Sequence, residues 1–235
     1  MPNSHRKILV TQRVVQAVGY TDPRDAVSQD WIRWLDQHGF APILVPNVLA
    51  DPVAFAADHA ARALLLTNGE DVHPSLTQNG GVPTDDTPER DATEARLYAW
   101  ARHQRLPVLA VCRGFQLVQV LHGGRLGAIP AHADGTRPHV ATRHPLRWLP
   151  AADRLGELAA EPMVNSFHNQ GIPDGALAPD LLPIAASLDG WLEAYIHKSE
   201  PLLAIQWHPE REGPNHPIQS EWAVRFLREG AWWKK

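Results

Sequence analysis

The chain has a single cysteine in 235 residues, Cys112, with only two methionines and three tyrosines. One cysteine excludes an internal disulfide and fits a reducing compartment, so a cytoplasmic location is expected. Neither sign of charge dominates: 22 Lys and Arg stand against 26 Asp and Glu, a formal net charge of −4. That balance supplies no field for a nucleic acid or a membrane surface, and neither partner is expected. No apolar run nears the roughly 20 residues that span a bilayer. The opening Met-Pro-Asn-Ser-His-Arg-Lys leads towards a strand, without the apolar core of a signal peptide. Repeats, low-complexity segments and linker-like breaks are also missing, so one domain over residues 1–235 is expected. Tryptophan (nine) and histidine (thirteen) are plentiful. The tryptophans are assigned to packing, with a self-association surface, and hence a homo-oligomer, as the alternative.

Strands alternate with helices through the first half. Lys7–Thr11, Pro42–Pro46 and Arg62–Thr67 read as short buried strands. Asp22-Pro23 reads as the cap and first turn of a helix carrying Ala26, Val27, Trp31, Trp34 and Leu35, ended by Gly39. A second helix is expected around Val53–Ala61 and a third from about Glu89 to His103. The polar stretch from Asn68 to Pro88 is longer than most connections, and loops of that kind tend to serve a site. Alternation of this sort gives right-handed βαβ units and a parallel sheet. Residues 123–150 read as loops and short strands over the site. After Asp153 the strands crowd together (Met163–Ser166, Leu182–Ser187, Trp191–His197, Leu203–Trp207), with Asp189-Gly190 a hairpin turn. A helix over about Ile218–Arg228 ends the pattern.

The chemistry concentrates at Pro107–Gln116. An apolar strand breaks at once into a helical pattern, and Cys112 sits on the turn between them. Such an elbow holds its residue in a strained conformation at the sheet edge and aims the first free N–H groups of the helix at whatever the side chain attacks. The helix dipole lowers the thiol pKa, and Gly114 lets the helix approach the strand behind it. The alternative is a small buried residue in the core. A second signal, Gln206-Trp207-His208-Pro209-Glu210, follows another strand. A thiol nucleophile needs a base, and the base needs a carboxylate to hold its ring. Cys112, His208 and Glu210 supply those three roles.

Several stretches, in this order, resemble the class I glutamine amidotransferase-type hydrolases of the γ-glutamyl hydrolase branch, peptidase family C26. They are Thr67-Asn68-Gly69-Glu70-Asp71-Val72, Arg90-Asp91-Ala92-Thr93-Glu94, residues 107–124, Val164 through Gln170, and Gln206 through Glu210. The resemblance implies an α/β fold, a flavodoxin-like, mostly parallel sheet flanked by helices, with a small antiparallel addition in the C-terminal half. It also implies a Cys–His–Glu triad, a γ-glutamyl thioester, release of an amine and then of glutamate, and no cofactor. The backbone N–H groups of Gly69 and Arg113 would form the oxyanion hole. Gln116 and the stretch Asn165, Ser166, Phe167 and His168 would surround the glutamyl head of a small-molecule substrate. The chain departs from the family in Ala110, where the elbow usually begins with Gly, in Asn68-Gly69 for Gly-Gly, and in His168-Asn169 for paired histidines.

Bottom-up, Gln116 lies one turn after Cys112 on the same helix face, which supports its placement independently. Arg90, Asp91 and Glu94 are assigned to bracing their helix, with the substrate ammonium as the alternative, and Asp71 equally to organising its loop or to binding substrate. Arg13 and Arg24 fall after the first strand, where a parallel sheet puts its site, and are candidates for an anionic leaving group. That segment resembles the γ-glutamyl-CDP-amidate hydrolases more than the γ-glutamyl-γ-aminobutyrate hydrolases. The rival class is a glutaminase subunit that hands ammonia to a separate synthetase. A third reading is a regulatory binding protein on the same fold. His132, His139 and His144 are read as a solvent-facing loop or part of a lid, and no metal is expected because no ligand spacing on one helix and no second cysteine accompanies them.

Overall fold

The computed structural model describes residues 5–73, 87–156, 158, 162–211 and 217–234. Its first strand, β1 (Arg6–Thr11), leads into a hairpin of β2 (Arg13–Gln16) and β3 (Pro23–Ala26), and then into α1 (Gln29–Gln37). The helix expected to open at Asp22-Pro23 is thus a strand there. Two contacts explain the difference. Ser28 is the cap that wins, its Oγ accepting from Asp30 N at 3.2 Å. The Asp25 carboxylate accepts from Asn47 N at 2.9 Å and Asn47 Nδ2 at 2.7 Å, which holds β3 extended.

Next come β4 (Phe40–Val45), α2 (Pro52–Asp58) and β5 (Ala63–Leu66). Asp51 caps α2 by accepting from Val53 N and Ala54 N, with Pro52 at the first helical position. Residues 74–86 of the expected loop lie outside the described residues. Beyond them, α3 (Pro88–His103), β6 (Val108–Val111) and α4 (Arg113–Leu121) form the elbow unit. β7 (Gly127–Ala128) is short, whereas β8 (Val140–Trp148) runs for nine residues and makes a full strand of the segment expected to hold short ones. β9 (Met163–Phe167), β10 (Gln170–Pro173), β11 (Leu181–Ser187), β12 (Trp191–His197), β13 (Leu202–Ile205) and α5 (Pro217–Glu229) complete the order.

In the sheet the strands lie as β4-β1-β5-β6-β13-β12-β11-β8-β9. The first five are parallel to their neighbours, and from β12 onward every pairing is antiparallel. Alternate residues of the parallel strands are buried on opposite faces, as a sheet covered on both sides requires. Ile8, Val10, Leu65, Leu109, Val111 and Ile205 meet Trp31, Trp34 and Leu35 of α1 and Phe226 of α5. Leu9, Leu64, Leu66, Ala110 and Ala204 meet Leu97 and Tyr98 of α3 and Phe115 and Val118 of α4. Each such Leu or Phe contributes about 1.5–3 kcal/mol by leaving water. Among the described residues, no helix is long and apolar enough to cross a membrane.

Register sets the site. Leu66 pairs with Ala110, and Val111 with Ile205, so β5, β6 and β13 end at one edge. Asn68, Cys112 and His208 follow those strands within a few residues.

Candidate active site

Cys112 has φ +53° and ψ −100°, a conformation that non-glycine residues rarely hold and that keeps the thiol at the head of α4. The strain is over-determined by what surrounds it. Cys112 N donates to Ile205 O at 2.9 Å, and Gln116 N closes the first turn on Cys112 O at 3.1 Å. Gly114 lies so close to β5 that a Cβ there would stand 2.5 Å from Leu66 O and 2.7 Å from Leu66 Cβ.

His208 is fixed at both ends of its backbone by one side chain. Its N–H donates to Asn165 Oδ1 and its carbonyl accepts from Asn165 Nδ2, each at 2.8 Å. His208 Nδ1 lies 2.8 Å from Glu210 Oε1; the carboxylate only accepts, so Nδ1 carries the proton. Nε2 has no hydrogen-bond partner and is left for the Cys112 sulfur, whose charge acts on the ring. Burial alone would keep His208 neutral, but the Cys112 and Glu210 charges outweigh it and push its pKa up to about 9. Burial raises the Cys112 thiol, but the charge and the donor N–H of the His208 imidazolium, with a smaller effect from His168, together outweigh it and leave the thiol below its usual value. The pair therefore favours thiolate beside imidazolium. The ring edge of Phe167 packs on His208 with centroids 5.4 Å apart.

On the other side of the sulfur, Gly69 is held by a buried network. Arg90 donates to Glu70 at 2.5 Å, to Glu94 at 2.9 Å and to the carbonyls of Thr67 and Asn68 at 3.0 and 3.2 Å. Glu70 also accepts from Val14 N of the hairpin. Desolvation would raise the Glu70 carboxyl, yet Arg90, backbone N–H donors including that of Val14, and Arg113 together hold it below the ordinary range. The Arg113 guanidinium pairs with Asp91 and Glu94, tying α4 to α3. Arg90, Asp91 and Glu94 thus brace, as expected. A Cβ on Gly69 would meet Arg90 Nη1 at 2.2 Å, so only glycine fits there. Trp31 Nε1 donates to Asn68 Oδ1 at 2.8 Å, giving one of the tryptophans a task at the site.

Gly69, Asp71, Cys112, Arg113, Gln116, Phe167 and His168 line a cavity of about 300 Å³. Gln116 reaches it while donating to Gln170 O at 2.9 Å. Asn165 and Ser166 are not among its lining: Asn165 braces His208, and Ser166 Oγ donates to His139 O at 3.0 Å. Arg24 is exposed on the hairpin, paired with Asp22 at 2.7 Å and with Tyr20 Oη at 2.8 Å, and does not line the cavity. The Arg13 side chain lies near Gly69, its Cβ 3.1 Å from where a Cβ on that glycine would be. Glu70, Arg137, Val140 and Asn169 complete the lining. Asn169 lies in the quoted stretch Val164 through Gln170, whereas Arg137 and Val140 sit in a Pro- and His-rich stretch with no periodicity to place them.

The reading of His132, His139 and His144 as solvent-facing holds for His132 alone. His139, in the turn before β8, is buried, and His144, on β8 itself, is half-buried. With His168 and Glu193 they form one of two clusters of possible metal ligands among the described residues, the other being His122, Asp180 and His197.

A strand–elbow–helix with a cysteine at the edge of a mostly parallel sheet is a fold shared with solved structures. The chain superposes on the solved glutamine amidotransferase of Methylobacillus flagellatus with a TM-score of 0.60 at 16% identity, covering 98% of this chain and 94% of that one. The particular family is narrower: residues 9–210 match the Peptidase C26 family model, and the chain belongs to that family of hydrolases. A glutamine amidotransferase-like protein of Lactococcus lactis is 38% identical over 157 residues, 63% of this chain and 65% of that relative's length. The γ-glutamyl-γ-aminobutyrate hydrolase of Escherichia coli O157:H7 is 30% identical, with 82% of this chain and 79% of its own length aligned. The γ-glutamyl-CDP-amidate hydrolase of Campylobacter jejuni is 25% identical, with 91% and 95% aligned. Hydrolysis of γ-glutamyl amides is the activity that these relatives and the family support.

Proposed function

We propose that the chain cleaves a γ-glutamyl amide by way of a thioester on Cys112. The carrying observation is a thiol strained to positive φ at the head of α4, with a buried histidine that Glu210 orients at the end of the neighbouring strand. The Cys112 thiolate attacks the γ-carbonyl carbon, and the oxygen takes up negative charge between the N–H groups of Gly69 and Arg113. The His208 imidazolium gives its Nε2 proton to the departing amine as the C–N bond breaks. His208, now neutral, takes a proton from water, whose oxygen attacks the thioester. Glutamate leaves, and the Cys112 thiolate and the His208 imidazolium return together. Glu210 holds Nδ1–H throughout and stabilises the charged ring.

The leaving group is an amine bearing negative charge, of the nucleotide-linked kind that the Campylobacter relative's name describes. In support, the cavity lining includes the exposed Arg137, and Arg13 stands beside Gly69. Arg24, committed to Asp22, carries no part of this reading.

The test is a panel of γ-glutamyl amides, neutral and nucleotide-linked, with Cys112→Ala as control. Turnover by the wild type alone, abolished in the control, is expected. A chain inert alone but active on glutamine beside a synthetase would replace this reading with the glutaminase one.

A further inference from the structure

Glu193 is fully buried on β12, and neither carboxylate oxygen has a hydrogen-bond donor. A bare buried carboxylate is among the costliest groups a fold can hold, so something must compensate it. Three imidazole nitrogens point at its Oε1: His139 Nδ1 at 3.6 Å, His144 Nε2 at 3.5 Å and His168 Nε2 at 3.6 Å. None of the three is within the 2.7–3.2 Å of an ordinary N–H···O bond. A protonated ring paired with Glu193 would bring one nitrogen closer than the others. Three near-equal separations instead match ligands around a shared centre, since a tetrahedron with bonds of about 2.0–2.1 Å has edges of about 3.3–3.4 Å.

The opposite nitrogens agree. His168 Nδ1 lies 2.9 Å from Gln170 O, His144 Nδ1 3.2 Å from Pro145 O and His139 Nε2 3.0 Å from Asp189 Oδ2. Carbonyls and carboxylates only accept, so each of those nitrogens carries the proton. In a neutral ring the lone pair then faces Glu193. Ser166 Oγ, 3.3 Å from His139 Nδ1, spends its own proton on His139 O. A ring fixed by an outer oxygen acceptor, Asp189 above all, is the usual support of a metal-bound histidine.

We propose that His139, His144, His168 and Glu193 bind a divalent transition-metal ion, Zn²⁺ by preference for three imidazoles and one carboxylate in tetrahedral array. The ion joins β8 and β9 to β12 across the intervening β11 and pins His168 at the wall of the cavity that holds Cys112. It is a brace beside the site and takes no part in the thioester chemistry.

Untagged protein is stripped with a chelator and titrated with ZnCl₂ alone, and bound metal is counted by elemental analysis. One Zn²⁺ per chain is expected, kept in Cys112→Ala and His122→Gln and lost in Glu193→Gln and His144→Gln. Asp189→Asn lowers affinity about 10–100-fold. Co²⁺ in place of Zn²⁺ gives the visible absorption of a four-coordinate centre. Circular dichroism of the metal-free proteins accompanies each titration. If Glu193→Gln fails to fold, His144→Gln, whose side chain reaches the surface, decides the matter. Absence of stoichiometric uptake by the folded wild type overturns the proposal, as does loss of uptake in Cys112→Ala or wild-type affinity in His144→Gln.

Discussion

Gly114→Ala sets two physical effects against each other. Alanine in a helix is favoured over glycine by about 1 kcal/mol. At this position, however, the new methyl would sit 2.5 Å from Leu66 O and 2.7 Å from Leu66 Cβ, where ordinary contact needs about 3.5–4.0 Å. The α4 helix must retreat from β5 by on the order of 1 Å, and overpacking of that kind costs about 1–3 kcal/mol. The net stability change is therefore small, about 0–2 kcal/mol, or a fall of no more than about 8 °C in Tm for a chain of this length. The catalytic loss is larger, because the retreating helix carries the Cys112 sulfur and the Arg113 N–H away from His208 and Gly69. A misplacement of about 1 Å lowers kcat about 100-fold. Steady-state hydrolysis of a γ-glutamyl amide and a thermal melt on the same sample decide it. Wild-type kcat with a raised Tm would refute the reasoning, since it would mean that helix propensity alone governs the position.

Activity falls on the acid side as the Cys112 thiolate takes a proton and on the alkaline side near about pH 9, where His208 loses the proton it gives to the amine. Glu210→Gln removes one of the charges that raise His208, so the alkaline limb of kcat/KM moves to lower pH; an unmoved limb contradicts the coupling. Arg113→Met leaves its backbone N–H in place but strips Asp91 and Glu94 of their buried partner. Breaking a buried pair costs about 3–5 kcal/mol, so Tm should drop by about 6–20 °C, and an unchanged melt would show the network to be dispensable. Arg137→Ala raises KM about 10-fold for a nucleotide-linked γ-glutamyl substrate and leaves KM for a neutral amide unchanged; equal effects on both would remove Arg137 from leaving-group recognition.

The parts of the fold legible from the chain are those where one local rule operates. Buried runs such as residues 63–66 and 108–111 have no other home than a covered sheet, and the strand-to-helix break at Cys112 has a single geometric outcome. The α1 start was misplaced because Asp22-Pro23 and Ser28 are both competent caps, and the choice is made by Asn47 reaching Asp25 from β4's far end. The lining residues Arg137 and Val140 carry no periodic signal. Likewise His139, His144, His168 and Glu193 are up to 54 residues apart in the chain (139 to 193) and meet only through antiparallel pairing. Glu193, a charged residue amid an otherwise apolar strand, was the one local hint.

The account depends on Cys112 becoming acylated. Rapid quenching of the protein during turnover of a γ-glutamyl amide, followed by mass spectrometry of the Cys112 peptide, reads that step directly. A γ-glutamyl adduct on Cys112 that forms and decays at the turnover rate is predicted, accumulating when His208 is replaced by alanine only if the amine is a good leaving group. Continued hydrolysis by Cys112→Ala, or an unmodified Cys112 throughout turnover, would contradict it.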